Sequence, residues 1–120
     1  MKWIIIVMVI AALAWNIFNQ QQAIENAKTI DFSHAVILDV RTPEEFANGH
    51  VDGAINISST VINQEKVAAV AKTDQVVVLY CHSGGRASAV QSKLTKWGYT
   101  DVINLRTQGG VEQAIMAASQ

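Results

Sequence analysis

The sequence predicts an α/β domain whose parallel sheet is covered by helices on both faces, and three observations carry that prediction. Ala35–Val40 and Val76–Tyr80 are apolar runs rich in β-branched residues, the composition of strands buried on both sides. The segments after such runs carry helix punctuation. Thr42-Pro43-Glu44-Glu45 is a capping box with proline at the first helical position, and Arg86–Trp97 runs into Gly98, a stop signal. Strands and helices then alternate to the end of the chain, which selects parallel pairing with crossover helices.

The first nineteen residues stand apart from this pattern. Lys2 precedes Trp3–Trp15, a run with no polar side chain; after Asn16, Ile17-Phe18 lead into the polar Asn19-Gln20-Gln21-Gln22. An apolar N-terminal run of this kind is a targeting or membrane element rather than core. Residues 1–19 are therefore expected to be a signal peptide or a membrane anchor, 20–29 a linker or helical extension, and 30–120 the folded domain. Ala12-Leu13-Ala14 satisfies the small-x-small cleavage rule, but cleavage there leaves a short apolar region and a bulky Trp15 at the new terminus. Trp3 and Trp15 sit where interfacial aromatic anchors sit. As a helix the run spans about 24 Å against a hydrocarbon core of roughly 30 Å. The anchor is the favoured reading. Lys2 orients the domain outward, at the periplasmic face of a bacterial inner membrane, or free in the periplasm if the segment is removed.

Within the domain, Ile30–His34 is expected to hold a short first strand and a turn. Ala35–Val40 is a central strand, and the short helix after it ends at Asn48-Gly49. Ala54–Ile57 reads as another buried strand. Asn63–Ala71 reads as an amphipathic helix with Val67 and Val70 or Ala71 inward. Val76–Tyr80, the helix Arg86–Trp97 and the last strand Val102–Leu105 follow. Thr107–Gly110 is expected as a loop and Val111–Ala118 as a final helix.

Composition excludes several functions. A net charge of −1 over 120 residues offers no basic field for nucleic acid. One cysteine permits neither an internal disulfide nor a thiolate-rich metal centre, and His34, His50 and His82 show no ligand spacing. No cofactor or metal is expected, and the domain is read as a monomer. His34 is assigned to the surface and His50 to a structural segment. Lys93 and Lys96 are assigned to solvent and Trp97 to the core.

Chemistry concentrates in Cys81-His82-Ser83-Gly84-Gly85-Arg86, between a strand end and a helix start. Ligands of parallel α/β sheets bind outside the carboxyl ends of the strands. Glycines that tolerate φ > 0 let successive backbone N–H groups converge into an anion nest. The helix N-terminus adds its dipole and unpaired N–H groups, and Arg86 a full charge. All favour a thiolate, the nucleophilic form. The competing reading makes Cys81 a small buried hydrophobe at a strand end.

With these residues in view, Cys81-x-x-Gly84-x-Arg86 resembles the active-site loop of rhodanese-type sulfurtransferases. Leu38–Phe46 and Gly49–Ile57 resemble that family's Asp-x-Arg strand-to-helix segment and its Gly-His-Ile-x-Gly-Ala-x-Asn-Ile segment. The match runs from about Ile30 to Ala117. The resemblance implies a three-layer domain with a five-stranded parallel sheet. It implies Cys81 as catalytic nucleophile, with His82, Ser83, Gly84, Gly85 and Arg86 as the substrate-binding loop. It implies a small anionic sulfur donor such as thiosulfate, a persulfide on Cys81, and a thiol or cyanide as acceptor. Asp39 and Arg41 are expected to point to opposite strand faces and to serve structure. The family's tryptophan after the late Gly-Gly is replaced here by Val111. Two alternatives stay open. One is a phosphatase or arsenate reductase of the same fold, whose loops are C-x5-R where this chain has C-x4-R. The other is a persulfide carrier that docks a partner without turnover.

Overall fold

The computed structural model describes the backbone of residues 2–28 and 30–119 and the side chains of 2–19 and 30–119. Met1, Thr29, Gln120 and the side chains of the expected linker lie outside the described residues. A helix α1 (Lys2–Lys28) precedes the domain. Then come β1 (Val36–Asp39), α2 (Pro43–Ala47), β2 (Ile55–Asn56) and α3 (Gln64–Ala68), followed by β3 (Val77–Cys81), α4 (Gly85–Lys96), β4 (Val102–Thr107) and α5 (Gln108–Ala118). The four strands pair in parallel in the order β2-β1-β3-β4.

Alternation along β1 and β3 sorts the apolar side chains into two cores, one on each face. Val36, Leu38, Val77, Leu79 and Cys81 pack with Val67 of α3 and with Ala87, Val90 and Leu94 of α4. Ile37, Val78 and Tyr80 pack on the other face with Val51 and Val111 of α5. Trp97 joins the first core at its margin. The capping box forms as its sequence requires: Thr42 Oγ1 accepts from Glu45 N–H, and Glu45 Oε1 accepts from Thr42 N–H.

Four features differ from the sequence expectation. The sheet has four strands rather than five. Ile30–His34 forms a turn, because the Asp31 carboxylate takes the Ser33 N–H and hydroxyl and so competes with ladder pairing. Ile30 still buries its side chain in the second core. Ala54–Ile57 is not a buried strand but a two-residue edge pairing with Ile55 exposed, because β1 covers only one side of it. The expected loop Thr107–Gly110 is the first turn of α5, capped by Thr107 Oγ1 accepting from Gly110 N–H. A Cβ on Gly110 would stand 2.3 Å from the Leu105 carbonyl oxygen, so the close approach of β4 and α5 requires glycine there. Val111 is fully buried.

Lys2–Asn19 is long and apolar enough to cross a membrane, with a mean hydropathy of 1.8, and is exposed along its length. The helix continues without a break to Lys28 and meets α5.

Candidate active site

The carboxyl ends of β1 and β3 lie side by side, Asp39 paired in register with Tyr80, and this places two polar constellations at one end of the sheet. The first is a buried brace. Asp39 is fully buried and accepts three hydrogen bonds from the Arg41 guanidinium, the shortest 2.7 Å, one from Arg41 N–H at 2.9 Å and one from the Tyr80 hydroxyl at 2.9 Å. Tyr80 Oη in turn accepts from Val51 N–H, and Arg41 Nη2 donates to the Gly49 carbonyl. Burial, with the Asp39 hydrogen bond adding to it, pushes the Tyr80 phenol up to about 12. Asp39 and Arg41 therefore do not diverge to opposite faces. Residues two apart share a face of a strand, and Arg41 lies beyond the end of β1, free to fold back. The brace fixes the segment 49–51 against the sheet and satisfies every buried polar atom it contains.

The second constellation is the loop from Cys81 to Arg86. Cys81 is the last residue of β3, packed in the first core and 1% exposed. Its Sγ accepts from Gly84 N–H at 2.9 Å. Gly84 has φ +99 and caps α4, so the chain reverses under left-handed geometry that only glycine adopts without cost. Burial pushes the Cys81 thiol up, but the N–H groups of Ala87, Gly84, Ser83 and Arg86 outweigh it and hold the thiol below its ordinary value.

His82 and Ser83 are exposed on the loop, Gly84 is buried, Gly85 is exposed at the start of α4, and Arg86 is half-buried. The Arg86 guanidinium turns away into a two-pronged ion pair with Glu45 of α2, Nη1 to Oε1 at 2.8 Å and Nη2 to Oε2 at 3.1 Å. Hydrogen bonds from Arg86 hold the Glu45 carboxyl at about 2. Arg86 thus gives the nest its backbone N–H, while its side chain ties the loop to the capping box of α2.

Sequence reasoning missed Arg106. It has φ +74 at the end of β4, the only non-glycine residue with positive φ among the described residues. Its side chain lies across Gly84: a Cβ on that glycine would meet Arg106 Nε at 3.0 Å and Arg106 Cβ at 3.2 Å. The signal lies in register, since Leu79 pairs with Asn104 and Tyr80 with Arg106, leaving Leu105 as a bulge. A bulge is not legible from residue types alone.

The rhodanese-like domain profile matches residues 19–113 of the chain. The thiosulfate sulfurtransferase PspE of Escherichia coli is 34% identical over 79 residues, covering 66% of this chain and 73% of that protein. The mitochondrial protein HIGH ARSENIC CONTENT 1 of Arabidopsis thaliana is 35% identical over 102 residues, covering 70% of this chain and 60% of that protein. Among solved structures, an E. coli rhodanese with anions superposes with a TM-score of 0.58 at 32% identity, covering 63% of this chain and 89% of that one.

Proposed function

This chain belongs to the rhodanese-like domain family, and from that premise we propose that it is a thiosulfate-type sulfurtransferase working through a persulfide on Cys81. The observation that supports this reading is the Gly84 N–H donating to Cys81 Sγ at 2.9 Å, which together with the N–H groups of Ala87, Ser83 and Arg86 holds the thiol low. The relative named thiosulfate sulfurtransferase, and the rhodanese solved with anions, are consistent with it.

The Cys81 thiolate attacks the outer sulfur of thiosulfate. A sulfur–sulfur bond forms at Cys81, the sulfur–sulfur bond of the donor breaks, and its electron pair leaves with sulfite. The N–H groups of Ser83, Gly84 and Arg86 face the charge as it moves. Cyanide or a thiol then attacks the outer sulfur of the persulfide and returns Cys81 as thiolate. Two half-reactions on one nucleophile predict ping-pong kinetics. His82 and Gly85 complete the loop, and the fold brings no metal-binding cluster together among the described residues. The C-x4-R spacing makes the nest tighter than a phosphate-binding loop. We assign residues 30–120 to the catalytic domain, and Lys2–Asn19 to a membrane anchor that holds it at an outer membrane face.

Intact mass after incubation with thiosulfate tests the function. A gain of one sulfur, removed by cyanide and absent in Cys81→Ser, is the expected result. Hydrolysis of a phosphate ester or reduction of arsenate by the wild type, with no sulfur gained, would replace this reading by the alternative chemistry.

A further inference from the structure

Three arginines lie near the carboxyl end of the sheet, and two are committed. Arg41 is held by Asp39 and Arg86 by Glu45. Among the described residues Arg106 makes no ion pair, and its side chain is exposed. Yet its backbone is held in place. The bulge at Leu105 re-aims the end of β4. The Asn104 carboxamide fixes the result: Oδ1 accepts from Arg106 N–H at 2.9 Å, and Nδ2 donates to Ser88 Oγ on α4 at 3.1 Å. One side chain thus ties the left-handed residue to the helix that begins at the nest. A non-glycine residue at φ +74 is sparsely populated, and such outliers persist where the surroundings over-determine them. Here the outcome is a guanidinium stem laid over Gly84, whose N–H bonds to Cys81 Sγ.

We propose that Arg106 is the side-chain cation that binds the anionic end of the sulfur donor at the mouth of the Cys81 loop. This rests on the sulfurtransferase reading, and it selects donors whose leaving group carries negative charge, a sulfonate or sulfite oxygen, over neutral polysulfides. The backbone nest handles the thiolate and the reacting sulfur. Arg106 supplies the planar fork that two oxygens of the leaving group require. Arg86, tied to Glu45, braces the loop.

The decisive variant is Arg106→Asn, because asparagine tolerates the left-handed backbone and removes only the charge and the stem. Two readouts separate the proposal from the reading beneath it. In steady-state transfer to cyanide, Arg106→Asn is expected to raise the thiosulfate KM about tenfold or more, the size of a lost charged hydrogen bond, with Arg106→Lys recovering part of it. In alkylation of Cys81, the variant is expected to react more slowly than wild type with iodoacetate, an anion, and equally fast with neutral iodoacetamide. A parallel loss on charged and neutral reagents would make Arg106 a packing strut and overturn the assignment, as would an unchanged thiosulfate KM. If thiosulfate leaves no sulfur on wild-type Cys81, the sulfurtransferase reading fails, and the iodoacetate to iodoacetamide ratio still decides whether Arg106 places positive charge at the thiol.

Discussion

Cys81, Arg86 and Glu45 form a chain of dependence at the scale of single residues. The thiol is lowered by backbone donors, the donors are oriented by the loop, and the loop is held to α2 by the Arg86–Glu45 pair. The pair is partly exposed, so its energetic weight is modest. Its geometric weight is larger, since it ties the first turn of α4 to α2. Arg86→Ala is expected to raise the Glu45 titration from about 2 part of the way toward its ordinary 4.5, the Thr42 hydrogen bonds still holding it down, which carboxyl NMR reads directly. The sign follows from the depressed value: the pairing is fully present above pH 4.5 in the wild type and is lost as pH falls through about 2. The same variant is expected to lower kcat/KM for thiosulfate about twofold to fivefold through a loosened loop. An unmoved Glu45 titration would show that the pair does not form in solution. Cys81 also carries a pH signature. Its rate of alkylation by iodoacetamide is expected to reach half-maximum at a pH below that of a free cysteine, and Gly84→Ala, which drives a Cβ against Arg106, is expected to shift that midpoint upward. A midpoint at the free-cysteine value in the wild type would remove the nest from the mechanism.

At the scale of elements, the strands and helices most legible in the sequence were those with strong local signals. The apolar runs gave β1 and β3, Thr42-Pro43-Glu44-Glu45 gave the start of α2, and Gly98 the end of α4. The cysteine loop was legible because a buried strand ends before it and a helix starts after it. What was missed depends on partners distant in sequence. The bulge that aims Arg106 exists only where β4 meets β3, and the Asp39–Tyr80 hydrogen bond joins residues 41 apart in sequence. Of the short strand and turn expected in Ile30–His34 only the turn forms, because the Asp31 carboxylate takes the Ser33 N–H and competes with ladder pairing. The Gly109-Gly110 pair was misread as a loop, since glycine is rare in helices and nothing local reveals that the Leu105 carbonyl crowds Gly110. That crowding gives a stability prediction. Gly110→Ala must push a methyl into a backbone oxygen and is expected to destabilise the domain by about 1–3 kcal/mol. Gly109→Ala, whose Cβ meets nothing nearer than 4.0 Å, is expected to be neutral or mildly stabilising through helix propensity. Urea unfolding of both variants checks the contrast, and equal effects would contradict the close approach of β4 and α5.

At the scale of the whole molecule, the feature that sets this chain apart from an isolated catalytic domain is α1. Its apolar portion, Lys2–Asn19, exposes Trp3, Ile4, Ile5, Ile6 and Trp15 with no protein surface to cover them. Exposed apolar area of that extent is unfavourable in water and favourable in hydrocarbon. An 18-residue span rises about 27 Å, slightly less than the hydrocarbon core of roughly 30 Å, a mismatch that local thinning and a snorkelling Lys2 would absorb in an anchor. The helix continues to Lys28 and meets α5, so an anchor formed by Lys2–Asn19 would run directly into the domain and keep the sulfur-transfer site close to the bilayer. The expectation is that the untagged full-length protein sediments with membranes, resists extraction by high salt, and is released by detergent. In spheroplasts, protease added outside is expected to digest the domain. N-terminal sequencing separates the two forms of export: a membrane-bound chain that retains the segment before Trp15 supports the anchor, and a soluble periplasmic chain starting near Trp15 or Ala23 establishes a cleaved signal instead. A soluble, protease-protected protein that keeps Lys2–Asn19 would refute export in either form.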